Sequence, residues 1–219
     1  MPTWMIRAGR GGVYAKDWIA NGYVGIGWDF NGADITAKTQ DELKTIYATA
    51  KPALKGAKVA FAASQAHKFA QDISEGSTVV TYDPEERLYH IGVITGACVP
   101  SPELEGVTYT RKVEWKKSAP RDFLSTSARN SLGSLTTIFS IAKDTVAELN
   151  AAAKGTQNIS QPTETADSSD DEEARFATYD DGIERIKDRA LSLTWEEMEQ
   201  FVAGLLRTMG YHASVTPKG

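Results

Sequence analysis

Arg7-Ala8-Gly9-Arg10-Gly11-Gly12-Val13-Tyr14, Trp28-Asp29-Phe30 and Tyr82-Asp83 are the segments of this 219-residue chain whose residue types best suit ligand chemistry. Glycine lets a backbone approach a ligand closely or take positive φ. Indole and phenyl rings offer flat apolar faces the size of a nucleobase, and a carboxylate or backbone amide can read its hydrogen-bonding edge. Gly9, Gly11, Tyr14, Trp28, Asp29, Phe30 and Tyr82 therefore predict a slot for a base taken out of its stack, where stacking contributes ~1–3 kcal/mol per base. Arg7, Arg10, Lys16, Arg121 and Arg129 are the cations that could hold phosphates. The competing expectation for Trp28 and Tyr82 is that they cap a small barrel core, which is also the reading for Trp4, Trp18 and Trp115.

Other chemistry is poorly supplied. His67, His90 and His212 share no metal-ligand spacing with one another, and Cys98 has no partner near it in sequence. Gly-x-Ser-x-Gly does not occur, and Arg10-Gly11-Gly12 lacks the Gly-Lys-Ser/Thr ending of a phosphate loop. One cysteine also excludes an internal disulfide framework, as a reducing cytoplasm would require.

These residues need elements to hold them. Trp4–Arg7 and Tyr23–Trp28 read as strands. Thr39-Gln40-Asp41-Glu42 is a capping box opening a helix with Leu43, Ile46, Tyr47 and Ala50 on one face, halted near Pro52. A second helix carries Val59, Ala62, Ala66, Phe69, Ala70 and Ile73, with Gly76 as its stop. Thr78–Tyr82 and Leu88–Thr95 form a hairpin through Asp83-Pro84-Glu85-Glu86, and Val107–Trp115 alternates as a fifth strand. Ser125–Ser134 is a polar segment before a helix over Lys143–Ala153. Five strands without regular β-α-β alternation predict an α+β fold with a small curved or closed sheet, not a doubly wound one.

Apolar residues make up 41% of the chain and charged ones 24%, so a sizeable core is available. No apolar run approaches the ~18 residues of a membrane span and no signal peptide is evident, which predicts a cytoplasmic protein with no membrane partner. The net charge of −5 is unevenly spread: residues 1–150 carry 17 Lys and Arg against 16 Asp and Glu, residues 151–219 only 7 against 13. The N-terminal part therefore remains able to present a basic face despite the acidic whole. Lys154–Ala177, rich in Ser, Thr, Gln, Asp and Glu, reads as a solvated linker, dividing the chain into residues 1–153, 154–178 and 179–219. Beyond it, a short charged helix over Asp180–Leu191 precedes a second capping box, Thr194-Trp195-Glu196-Glu197. Met198, Phe201, Val202, Leu205, Leu206 and Met209 then form an apolar stripe ending at Gly210. Such a stripe needs a partner, either another protein or a second copy in a homodimer.

Two stretches resemble known families. TWMIRAGRGGVYAKDWIANGYVGIGWDF with EGSTVVTYDPEERLYHIGVITG resembles the N-terminal specificity domains of modification-dependent (type IV) restriction enzymes, which are similar to the EVE and YTH modules of the PUA-like superfamily. Ser77 stands where that family usually carries Asp. The resemblance runs through SARNSLGS and implies a PUA-like β-barrel with flanking helices that flips a methylated cytosine or adenine of DNA into an aromatic pocket, with Asn130 and Ser131 contacting base or sugar. LTWEEMEQFVAGLLRTMGYHASVTPKG resembles the opening of an Mrr-type endonuclease domain. That likeness implies a Mg²⁺-dependent nuclease whose acidic ligands and E-x-K motif would follow Gly219, so no catalytic residue, metal or cofactor is expected in this chain itself. A nuclease active by itself and a protein-interaction domain are the other functions weighed.

Overall fold

The computed structural model describes residues 2–101, 103–134, 136–156 and 172–215. It divides into two compact units, Met1–Ala177 and Thr178–Gly219. Most of the expected linker and the last four residues of the chain lie outside the described residues.

The first unit is α+β, built on one curled, mixed sheet. Its strands are β1 (Thr3–Ile6), β2 (Tyr23–Ile26), β3 (Thr78–Asp83), β4 (Leu88–Ile94), β5 (Val99–Pro100), β6 (Tyr109–Pro120) and β7 (Ile138–Ile141). The order is β2-β6-β4-β3-β1-β7, with β5 paired to β6, and among the described residues only β1 and β3 run parallel. The twelve-residue β6 bridges the curl: its start pairs with β2 and β5, its remainder with β4. A register shift between Ile91 and Gly92 bends that ladder. Gly92 is needed there, since a Cβ would collide with Val113 and Trp115.

Alternation along the strands divides the core between the two sheet faces. Trp4, Ile6 and Val79 face one cluster, while Met5 and Val80 face the other. The first face is covered by α1 (Ala15–Asn21), α2 (Gln40–Ala50) and α3 (Gly56–His67), whose Trp18, Leu43, Tyr47, Val59, Ala62 and Ala66 are all buried. The second is covered by α4 (Thr126–Leu132) and α5 (Lys143–Ala152) through Ala128, Leu132 and Leu149.

Where the local signal is strong, expectation and structure coincide. Thr39 and Glu42 cap α2 reciprocally, with Thr39 N–H donating to Glu42 Oε2 at 2.8 Å and Glu42 N–H to Thr39 Oγ1 at 3.3 Å. The β3–β4 hairpin pairs Thr78 with Val93 through Asp83 with Leu88. Four elements were not expected. α1 is brief and follows glycines; α4 lies in a segment rich in Ser; β5 has two residues; β7 has four. Gly76 is not the stop of α3, which passes into a π-turn over Lys68–Asp72 and ends before Ile73.

In the second unit, α6 (Glu172–Leu191) ends and α7 (Trp195–Thr208) follows. Thr194 and Glu197 form the expected capping box, and Gly210, at φ 89°, terminates α7. No helix among the described residues is long and apolar enough to cross a membrane.

Candidate functional site

A cleft of about 440 Å³ opens beside the first sheet face. One wall is the chain leaving β1, with Arg7 and Gly9, and the N-terminal approach to α1, with Tyr14. A second is the end of β2, where Gly25, Ile26 and Gly27 lead to Trp28. The α2–α3 pair supplies Tyr47, Leu54, Lys58 and Phe61; Gly106, Val107 and Thr137 complete the rim.

Each ring has a physical reason for its position. Thr108 Oγ1 donates to the carbonyls of Ile26 at 3.1 Å and Trp28 at 2.9 Å, which fixes the strand end carrying the indole. Trp28 is half-buried and meets Phe61 nearly edge-on, with centroids 6.0 Å apart and planes at 76°, an arrangement favoured by the ring quadrupoles. Tyr14 lies parallel to Trp18 at 6.4 Å. Gly106, at φ 72°, lets the loop before β6 press against the Tyr14 ring, which a Cβ would strike. Trp18 is 1% exposed and floors the cleft from the core. Arg7 and Lys58 bring positive charge to a lining that is otherwise aromatic, aliphatic and glycine apart from Thr137. Among the described residues that lining holds no carboxylate, imidazole or thiol.

A family model described as "Domain of unknown function (DUF8426)" matches residues 4–142. The chain belongs to this family. No curated protein and no solved structure matches it. Every residue lining the cleft falls inside the DUF8426 region, whereas α5, α6 and α7 lie beyond it.

Of the residues singled out from sequence, the DUF8426 domain brings Arg7, Gly9, Tyr14 and Trp28 together at the cleft. The others go elsewhere. Phe30 is fully buried, 4.9 Å from Tyr47 and 6.3 Å from Tyr109, so it is a core ring with no face for a ligand. Tyr82 belongs to the opposite sheet face, packed on Tyr89 at 4.6 Å with the Arg121 guanidinium 5.6 Å from its ring centre. The cause is the two-residue period of β3, which turns Val79 and Thr81 to one side and Val80 and Tyr82 to the other. Trp28 and Tyr82 therefore do not share a slot. Arg121 is buried and donates to the Tyr89 hydroxyl at 2.8 Å, which removes it as a phosphate contact.

Asp29 turns its carboxylate to the local chain, accepting from Asn31 N–H at 2.8 Å and pairing with Lys51 at 3.4 Å. Lys16 pairs with Glu85 across to the hairpin turn, and that carboxylate raises its pKa above the ordinary lysine value. Gly11 and Arg10 occupy the exposed 3₁₀ turn Arg10–Gly12 and do not line the cleft. Arg129, Asn130 and Ser131 ride on α4, whose Ala128 and Leu132 pack into the second core cluster.

Sequence reasoning missed Phe61, Lys58 and Gly106. Phe61 could have been found, because it is a bulky ring off the buried stripe of a helix otherwise full of alanine. Lys58 and Gly106 carry no local signal and are brought in only by tertiary packing. Outside the cleft, burial pushes the Cys98 thiol up to about 12, against the pull of Arg111, and pushes the Tyr109 phenol up to about 12.

Proposed function

We propose that the DUF8426 domain of this chain is a DNA-binding specificity module that receives a methylated base, cytosine or adenine, extruded from the duplex into the cleft beside Trp28. One observation carries this reading: four residues chosen from sequence for base binding, Arg7, Gly9, Tyr14 and Trp28, converge on one cleft together with Phe61 and Lys58. The cleft volume lies within the ~300–1,000 Å³ usual for small-ligand sites. Trp28 and Phe61 would stack on and flank the base, while Arg7 and Lys58 would attract the adjoining phosphates. The curled α+β sheet with helices on its faces agrees with a PUA-like half-barrel, and we take that as its class. In this reading the α6–α7 segment is the opening of an Mrr-type nuclease domain.

Anisotropy titrations of duplexes carrying 5-methylcytosine, N6-methyladenine or no modification test the proposal. Burying one methyl adds about 1 kcal/mol, so one modified duplex is expected to bind roughly fivefold more tightly than its unmodified counterpart. Trp28→Ala should cost ~1–3 kcal/mol of stacking and abolish the preference. Equal affinities for all three duplexes, unaltered by Trp28→Ala, would refute the reading.

A second function is favoured by α7. Trp195 is 74% exposed and Met209 64%, with Phe201, Val202, Leu205 and Leu206 also exposed along the same helix. This apolar surface suits docking to another protein or to a second copy of the chain.

A further inference from the structure

We propose that Asp83, Glu86 and His90 form a Zn²⁺-binding site on the β3–β4 hairpin, beside the cleft and independent of any nucleic acid. The carboxylate oxygens and imidazole nitrogen these residues offer lie within 4.8 Å of one another. Asp83 is 2% exposed, and its Oδ1 accepts from the backbone N–H of Glu85 at 2.8 Å and of Glu86 at 3.3 Å. Its orientation is thereby held by the turn. Glu86 is exposed, so its side chain has room to turn toward an ion.

A second, independent observation points to a ligand. His90 Nε2 is buried with no hydrogen-bond partner among the described residues, and so is Oγ1 of Thr81, a residue that is itself fully buried. Thr81 is the cross-strand partner of His90, and Asp83 lies two residues further along β3. All three side chains therefore project from one face of the hairpin. Two orphaned polar atoms side by side next to a buried carboxylate are costly unless something binds there. A Zn²⁺ ion ligated by His90, with a bound water accepting from the Thr81 hydroxyl, satisfies both.

The donor set selects the ion. Imidazole favours zinc-like metals over magnesium or calcium, and three protein ligands with a free position is the pattern of open zinc sites. Bonds of ~2.0–2.2 Å require the ligand atoms to draw to roughly 3.3 Å of each other, a closure the Glu86 side chain can supply. Lys16 is the nearby cation, but its ammonium is engaged by Glu85. The same contact, and the seating of Pro84 against Gly12, where a Cβ would collide with the proline ring, join the hairpin turn to the segment carrying Gly9 and Tyr14. An ion at this site would brace one wall of the cleft. The spacing Asp-x₂-Glu-x₃-His is present in the sequence, but a search for histidines paired with one another passes over it.

The test is a Zn²⁺ titration of the metal-stripped full chain at neutral pH in competition with a chromophoric chelator. The expected result is one Zn²⁺ per chain, with uptake weakened at least about tenfold by Glu86→Gln and by His90→Phe, as loss of a direct ligand should exceed loss of an outer one. His67→Asn, remote in sequence from the cluster, should leave uptake unchanged. Glu86 is exposed, so Glu86→Gln keeps the test decisive if His90→Phe fails to fold. No stoichiometric uptake by the wild type, or uptake changed less than about twofold by both substitutions, would overturn the site.

Discussion

At the scale of single residues, Trp28 and Tyr82 separate two roles that look alike in sequence. Both are aromatic, both stand at a strand end, and both precede an aspartate. Tyr82 is locked between Tyr89 and Arg121 on the far sheet face, whereas Trp28 keeps a partly open ring on the cleft. Tyr82→Ala should therefore reduce stability by about 3 kcal/mol or more, through lost packing, yet leave the ratio of affinities for modified and unmodified duplexes unchanged. Trp28→Ala should do the reverse, and thermal melts run beside the anisotropy titrations distinguish the two. Cys98 makes a separate prediction. A thiol raised to about 12 is protonated throughout the neutral range, and only the thiolate is a nucleophile. Iodoacetamide should leave the native chain unlabelled from neutral to mildly alkaline pH and label it promptly in guanidinium; fast native labelling would show the residue to be accessible.

At the scale of elements, what was legible follows the strength of local signals. α2 and α7 each carry a capping box and a sustained apolar stripe, and β3–β4 alternates around a turn containing Pro84, so their ranges follow from sequence within a residue or two. α1, β5 and β7 are too short for periodicity to speak. α4 reads as a polar stretch because its capping serine also serves tertiary structure: Ser125 Oγ accepts from Ala128 N–H at 3.1 Å and donates to Glu148 Oε1 at 2.9 Å, tying α4 to α5. Ser125→Ala removes a cap and leaves the part-buried Glu148 Oε1 without its hydroxyl donor. It should destabilise by about 1–2 kcal/mol, read from chemical denaturation. Gly106→Ala acts on the cleft instead, since its positive φ and the Tyr14 ring both exclude a side chain. It should weaken DNA binding while the far-sided α4–α5 pair remains intact by hydrogen exchange. The candidate site was half legible for the same reason. Arg7, Gly9, Tyr14 and Trp28 lie at strand ends that sequence marks, but Phe61 and Lys58 come from a helix brought over by the crossover between β2 and β3.

At the scale of the whole molecule, a near-neutral N-terminal part bearing the cleft is joined to an acidic C-terminal part bearing an exposed apolar helix. The first should hold the ligand specificity and the second any association. Light scattering should find self-association or partner binding in the full chain that is lost when it is shortened to residues 1–155, with the DNA affinity retained; association surviving that truncation would move the interface to the first unit. The measurement that addresses the central claim most directly is photocrosslinking with a duplex bearing a single 5-iodocytosine, whose iodine occupies the space of the methyl group, followed by mapping of the adduct by mass spectrometry. A base received by the cleft predicts adducts on Trp28, Phe61 or Tyr14. Adducts confined to Tyr82 or to Arg129–Ser131, or none despite tight binding, would contradict it.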